Sequence, residues 1–530
     1  MVGPGLPIAV AVGLVVALGL FLRLWILGRA PVNSDQAVVG LMAHEILRGH
    51  LFTFYWGQNY GGGEPYLVAA LFALFGQSRF VLGLTPILLD AIAALLLWRI
   101  GRRLFEPRAA LLGALIFWVW PEVYIFSSTV EYGFRFLTLV CGLATLLFAV
   151  RIGQGRPARL FDWAALGLFM GLGWWCSPEI VYYALPALLW LGYRLARHRA
   201  RLRLTGVVLM VAVALGGALP WLLANVGHGY PSLRTQVLHS RGTTWAGRLG
   251  TFFGHVAPLV SGVRLRSSGD WLAGPIAGTT LYVLLVGLVL VWVVRLALER
   301  RAVPLVLFVA LFPFIYAYSP SSWYWQDGRY ALYLSPVLAL LAASALCDLP
   351  RRPSRLARSA PALGLIVALV LTLSAAARLA PYVPIAGSSG ARSGWTSWRT
   401  DPDQWLQPLV AALDRSHLKH VYAGYWVAYA LAFESGGKVV ATDPGVDRYH
   451  PYLAAIERSD RQAWVFPRPC ALPALDAAVG AHPWLPSFTL AHLERDLKRH
   501  KLVYRTANAG YFTIVWTDHA VGFPSIVSGA

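Results

Sequence analysis

The stretch RFVLGLTPILLDAIAALLLWRIGRRLFEPR, residues 79–108, decides the fold class. Roughly 20 mostly apolar residues come first, enough to cross ~30 Å of hydrocarbon as a helix. Arginines then crowd its end at Arg99, Arg102, Arg103 and Arg108, which marks the cytoplasmic side of a membrane span. The same motif recurs along the chain. Apolar segments near 7–28, 79–100, 109–126, 133–151, 162–177, 179–194, 204–226, 273–297, 303–318, 329–347 and 361–381 read as about 11 transmembrane helices. Basic clusters at Arg151, Arg156 and Arg159, at Arg194 to Arg203, at Arg295 to Arg301 and at Arg351 to Arg358 then all fall on one face. That regular alternation puts the N-terminus in the cytoplasm.

Composition agrees. The chain is 57% hydrophobic and 13% charged, with a mean hydropathy of +0.57, whereas soluble domains carry about 25% charged residues. The formal net charge of +20 is explained by loop arginines, so no nucleic-acid partner is implied. The four cysteines are scattered and form neither a disulfide framework nor a zinc motif.

The first segment lacks a charged n-region and an A-x-A cleavage site, so it reads as an anchor. Three pieces consequently face outward: the loop 29–78, the loop 227–272, and residues 382–530. A transmembrane domain over 1–381 and an extracytoplasmic domain over 382–530 are expected, joined by the linker IAGSSGARSG at 385–394. In the tail, KHVYAGYW, GKVVATD, RQAWVF and GYFTIVW alternate as strands, and 403–415, 426–435 and 489–500 are amphipathic. These patterns predict a small α/β domain.

The first outer loop opens on NSDQAVVGLMAHEILRGH, residues 33–50. Asn33 with Gln36 makes a capping box, and Gly49 a stop. Val38, Leu41, Met42 and Ile46 share one face, which predicts a juxtamembrane helix lying on the membrane surface. EPYLVAALFALFG, from Glu64, is too short to span comfortably and reads as a second surface or re-entrant helix. HEILRGH is not a zincin motif, because His44 and His50 stand six apart rather than four.

Carboxylates expected near the outer interface are Asp35, Glu64, Glu122, Glu131, Glu179, Asp270 and Asp327. Ionisable groups at membrane depth are costly, so each is a functional candidate. Each also has a structural reading. Asp35 suits a helix N-terminus, Glu131 is four residues from Arg135, Asp327 neighbours Arg329, and Glu64 and Glu179 adjoin prolines. Asp90 reads as a helix-contact group. The outer loop 227–272 carries Arg264 and Arg266 among several arginines, which invites either a lipid phosphate or headgroups generally.

An N-terminal span, an outer loop opening on an acidic residue, a short helix, a re-entrant stretch ending in LFG, and a second span ending in arginines follow one another. In this order they resemble the GT-C superfamily of membrane glycosyltransferases, in its family 39-like branch of protein O-mannosyltransferases and the aminoarabinose transferase of lipid A. The likeness is concentrated in about the first 200 residues, with weaker support from QDGRYALYLSPVLALL. It implies sugar transfer from a polyprenyl-phosphate carrier to a glycan, lipid or protein acceptor at the outer face of a bacterial inner membrane. The acidic residue assigned as base or acceptor-positioning group falls on Asp35, and a second-loop carboxylate on Glu131. Gln36 stands where many members have a second acid. Glu64-Pro65 stands where relatives have Lys-Pro or Pro-Pro, so an arginine must meet the phosphate.

On these expectations Asp35 is the general base and Glu131 its helper. Arg135, Arg264, Arg266 and Arg329, with Asp327 and Glu64, contact the donor, and Tyr55, Trp56 and Tyr60 stack on sugar. No cofactor is required, and a divalent metal remains open. Two other readings stand beside this one: a transporter or flippase, which predicts matching broken-helix halves not found here, and an inactive GT-C scaffold.

Overall fold

The computed structural model describes residues 6–28, 32–154, 159–197, 204–234, 244–265, 269–319, 322, 325, 328–348, 355–379, 383–384, 395–396, 403–468 and 489–521. The linker 385–394, Arg266 and Asp327 lie outside them. The chain divides into two units. The first comprises Met1–Leu27, Asn59–Glu64 and Gly83–Arg378; the second comprises Gly28–Gln58, Pro65–Leu82 and Leu379–Ala530.

Each apolar stretch read as a span lies on helix. Among the described residues six helices are long and apolar enough to cross a membrane: Ile8–Leu27, Arg79–Leu104, Arg135–Gly153, Pro275–Leu298, Arg329–Asp348 and Ser359–Ala377. Pro107–Val119, Leu160–Cys176 and Val303–Tyr318 are apolar but shorter. Prolines account for two departures from the sequence pattern. The stretch expected as one span over 109–126 stops at Val119, because Pro121 has no N–H to continue the ladder and Trp120 is extended before it. The chain restarts as Glu122–Ser127. Likewise Leu204–Gly217 and Leu219–Asn225 meet at 63° beside Pro220.

Burial sorts the helices of the first unit. Arg135–Gly153 is central, with 89% of its apolar window buried, while Pro275–Leu298 and Ser359–Ala377 are 17% buried and offer apolar flanks suited to lipid. Helices Leu160–Cys176 and Leu204–Gly217 touch backbone to backbone. A Cβ at Gly167 or Gly171 would lie 2.1 Å from the carbonyl oxygen of Met210 or Ala214, so only glycine permits this approach.

One ion pair is sealed inside this unit. Arg23 and Asp90 meet at 2.5 Å with both side chains wholly buried. Arg23 also donates to Ser128 Oγ and the Trp118 carbonyl and lies over the Trp118 ring, while the Tyr124 hydroxyl donates to Asp90 Oδ1 at 2.7 Å. A buried charge is tolerated only with such full pairing. Asp90 is thus the helix-contact group expected; its partner Arg23 was not foreseen.

The second unit holds a five-stranded sheet. Its strands follow a two-stranded pair, β1 (Val383–Pro384) with β2 (Trp395–Thr396). They are β3 (His420–Ala423), β4 (Val440–Thr442), β5 (Gln462–Pro467), β6 (Tyr504–Ala509) and β7 (Phe512–Thr517), in the order β4-β3-β5-β7-β6. The β3 strand runs parallel to β4 and β5, while β7 is antiparallel to β5 and β6. Alternation sends Val421, Ala463, Val465 and Ile514 to one face and Tyr422, Trp464 and Val515 to the other. Helix Leu490–Arg499 covers the second face through Leu493 and Leu497.

Four of the five strands were legible. The fifth, β6, was not, because YRTANA is an edge strand with mostly solvated positions.

The first-loop helix forms over Ser34–Leu47 with the expected capping box: Asn33 Oδ1 accepts from the Gln36 N–H, and Gln36 Oε1 from the Asn33 N–H. It is not a one-faced surface helix. Ala37, Val39, Gly40 and Ala43 are buried along with Val38, Leu41 and Met42, because small residues on the remaining faces admit packing all round. Helix Tyr425–Glu434 lies against it so closely that a Cβ at Gly40 would come within 2.3 Å of the Phe433 ring.

Candidate functional site

In the second unit, Asp35 stands in the first turn of its capped helix, half-buried. The Tyr425 hydroxyl donates to Asp35 Oδ1 at 2.5 Å, and the Tyr55 hydroxyl to the Asp35 carbonyl at 2.9 Å. Ser34 Oγ bonds the Tyr425 carbonyl, and Asp443 Oδ2 accepts from the Tyr425 N–H at 2.8 Å. The Arg448 guanidinium lies 5.1 Å from the Tyr425 ring centre and 5.8 Å from that of Tyr55. Burial, with Asp35 adding to it, pushes both phenols up, so they remain proton donors. Trp56 stacks face to face on Tyr449, ring centres 4.0 Å apart. Tyr55 and Trp56 are thus both buried in this unit's core.

The first unit contains a carboxylate dyad. Glu64 and Glu131 are both wholly buried. Glu64 Oε1 accepts from the Leu137 N–H at 2.6 Å, and Glu131 Oε1 from the Gly133 N–H at 2.7 Å. The two carboxyl groups are close enough for the charge of Glu64 to act on Glu131, which disfavours ionising both at once. Burial is the main cause that raises both groups, Glu131 most of all, where the charge of Glu64 adds to it.

Glu131 does not pair with Arg135, because it precedes the helix that begins at Arg135 and the i, i+4 geometry never forms. Arg135 instead approaches Glu179 at 3.6 Å and donates to the Arg329 carbonyl at 3.3 Å. Tyr333 donates to the same Glu179 oxygen at 2.6 Å. Arg135 lies 4.2 Å from the Tyr330 ring centre, and Arg329 lies 5.3 Å from it. Arg135, Arg329, Tyr124 and Tyr333 line a small cleft together with Phe136, Leu139 and Leu332. The Tyr124 and Tyr333 hydroxyls are already committed to Asp90 and Glu179, which leaves the Arg135 and Arg329 guanidiniums as the cationic groups at the cleft.

Tyr60 packs edge-on against Phe134, ring centres 5.1 Å apart, and the Arg135 guanidinium lies 5.0 Å from that Phe134 ring. Arg264 donates to the Gly269 carbonyl and to His255 Nδ1, the latter at 2.7 Å. Burial and Arg264 both push His255 down, in keeping with a neutral ring that accepts from the guanidinium. Among the described residues no three His, Cys, Asp or Glu side chains gather as a metal site would require.

Sequence reading named Glu179 as a carboxylate and Tyr425 among C-terminal aromatics suited to sugar or core, but not as a partner of Asp35, and it missed Tyr333 and Arg448. One signal was available for the first unit. Pro121-Glu122-Val123 and Pro178-Glu179-Ile180 repeat a Pro-Glu-aliphatic turn, each followed closely by tyrosine.

Comparison with known proteins matches residues 63–223 to the family model of dolichyl-phosphate-mannose-protein mannosyltransferases. An undecaprenyl phosphate-alpha-4-amino-4-deoxy-L-arabinose arabinosyl transferase from Pseudomonas paraeruginosa is 26% identical over 66% of this chain and 63% of its own length. A protein of the same name from Pseudomonas aeruginosa is 32% identical over 30% of this chain and 29% of its own. The chain therefore spans just under two thirds of the first relative and under one third of the second.

Among solved structures, ArnT from Cupriavidus metallidurans, bound to undecaprenyl phosphate, superposes with a TM-score of 0.57 at 14% identity, covering 95% of this chain and 97% of that one. The Archaeoglobus fulgidus oligosaccharyltransferase superposes with a TM-score of 0.50 at 12% identity, covering 89% and 72%. These structural likenesses establish the fold. The matched stretch and the arabinosyl transferase relatives make this multi-pass membrane chain similar to the GT-C glycosyltransferases it resembles in sequence, most of all to their aminoarabinose-transferase branch, and the shared fold agrees.

Proposed function

We propose that the protein is a bacterial inner-membrane glycosyltransferase that moves a pentose or hexose from undecaprenyl phosphate to a hydroxyl on a glycan, lipid or protein acceptor. The observation that carries this reading is the setting of Asp35: a half-buried carboxylate in the first turn of a capped helix, oriented by the Tyr425 phenol. In this reading Asp35 takes the acceptor hydroxyl proton as the new C–O bond forms at the anomeric carbon. The bond from that carbon to the phosphate oxygen breaks, and its electron pair leaves on the polyprenyl phosphate. Displacement in one step inverts the anomeric centre. Arg135 and Arg329, with Arg264 and Arg266 in the second outer loop, neutralise the departing phosphate. Glu131 is the second carboxylate of this reading, a helper to the base, and Glu64, Tyr60 and Asp327 are assigned to the donor.

The same reading takes about 11 crossings, a cytoplasmic N-terminus and an outer site, supported by the arginine alternation. Residues 382–530 then form the extracytoplasmic domain. No resident metal or cofactor is invoked.

The test is release of undecaprenyl phosphate by the purified protein in lipid nanodiscs. It is offered undecaprenyl-phosphate sugars one at a time with a membrane extract as acceptor, and Asp35→Asn is run alongside. Release confined to one sugar and lost in the variant is the expected result. No release from any donor by folded protein, or undiminished release by Asp35→Asn, refutes it.

A further inference from the structure

We propose that Tyr425, carried by the C-terminal part of the chain, is a positioning residue for Asp35, and that the C-terminal domain therefore completes the acceptor-activating half of the site. This rests on the reading of Asp35 as the base. Asp35 and Tyr425 are 390 residues apart in sequence, yet the phenol donates to Asp35 Oδ1 at 2.5 Å. That bond restrains rotation of the carboxylate about its last torsion, which is otherwise broad.

The phenol is itself fixed from three sides. Its backbone N–H is held by Asp443 Oδ2, its carbonyl by Ser34 Oγ, and its ring lies under the Arg448 guanidinium. Arg448 is anchored in turn, its N–H donating to the Tyr429 hydroxyl at 2.7 Å. Asp443 is steadied by the N–H of Gly445 on its other oxygen, at 2.8 Å. The Tyr55 hydroxyl holds the Asp35 carbonyl, so backbone and side chain of the base are separately pinned.

A purely structural account would make Asp35 the partner that a buried phenol needs. Under that account the Tyr425 hydroxyl supports folding and leaves turnover per folded molecule untouched. Positioning predicts the reverse, because orientation of a catalytic group acts on the rate.

The experiment compares Tyr425→Phe, Asp443→Asn and Asp35→Asn in nanodiscs, measuring donor KM, kcat per folded molecule and melting temperature. The expected result for Tyr425→Phe is a kcat lowered roughly 10- to 100-fold, a donor KM within about twofold, and a melting temperature little changed. Asp443→Asn, which weakens the hold on the Tyr425 N–H, gives a smaller loss in the same sense and serves if Tyr425→Phe does not fold. Unchanged kcat in both folded variants, with Asp35→Asn inactive, overturns the positioning role alone. Full activity in Asp35→Asn overturns the underlying reading of the base.

Discussion

Asp35 in the second unit is kept differently from the buried acids of the first. In the first, Asp90 is locked to Arg23, Glu179 sits against Arg135 and Tyr333, and Glu64 and Glu131 are buried so that the charge of one raises the other. In the second, Asp35 is half-buried and answered by a neutral phenol. The difference separates carboxylates held by a guanidinium or by burial beside a second carboxyl from one that a phenol from a distant part of the chain orients. A carboxylate oriented in this way is suited to accept a proton during a reaction.

The strongest attempt to break this comparison is Asp35→Asn. An amide keeps the shape and the bond from Tyr425 but cannot take a proton. Turnover is expected to fall by about 10² to 10⁴, while the melting temperature stays close to that of the unaltered protein. A loss of fold that accompanied the loss of rate would put Asp35 in the same class as Asp90.

Asp90→Ala should behave in the contrary manner. It strands Arg23 without its counter-ion in a fully buried setting, where breaking one partner of such a pair costs roughly 3–5 kcal/mol. The expected outcome is poor recovery of folded protein in detergent. A double replacement of Arg23 and Asp90 by leucine should restore much of it, since two matched apolar residues leave no orphaned charge. Failure of the double variant would show that the pair does more than fill its site.

The dyad gives a sharper, smaller test through pH. An unfolded glutamate titrates near ~4.3, and both Glu64 and Glu131 are raised above this in the folded protein. The folded state thus binds protons more tightly, so the contribution is full below that range and is lost as pH rises through the raised folded values. Melting temperature should decline as pH rises above about 4.3 through the raised folded range, and Glu131→Gln, which removes one of the two carboxyls, should flatten that slope. A slope identical in the variant would remove the dyad as its source.

These contrasts also show what sequence can and cannot disclose. The helix Arg79–Leu104 and its arginine end were legible because lipid imposes length and apolarity on every span. The capping box at Asn33 was legible because its partners are three residues apart. Arg23 was hidden inside an apolar run, where its meaning depends on Asp90, 67 residues away. The partnership of Tyr425 with Asp35 was hidden for the same reason at greater range, since an aromatic at that position suits sugar or core equally well. Glu131 was misjudged because spacing of four implies contact only if the intervening chain is helical, and the helix begins at Arg135. Local rules reveal elements and caps; the pairing of distant polar groups awaits the fold.

The smallest expected effect distinguishes the two supports of Asp35. Asn33→Ala removes the side chain that accepts from the Gln36 N–H, and loss of such a cap costs about 1 kcal/mol. The Tyr425 and Tyr55 bonds reach Asp35 independently of that cap. If they set its stance, Asn33→Ala should lower the melting temperature by a few degrees at most and leave kcat per folded molecule within about twofold. A loss of rate as large as that of Tyr425→Phe would instead assign the orientation of Asp35 to its helix, and the comparison between the units would then turn on a local cap rather than on the C-terminal domain.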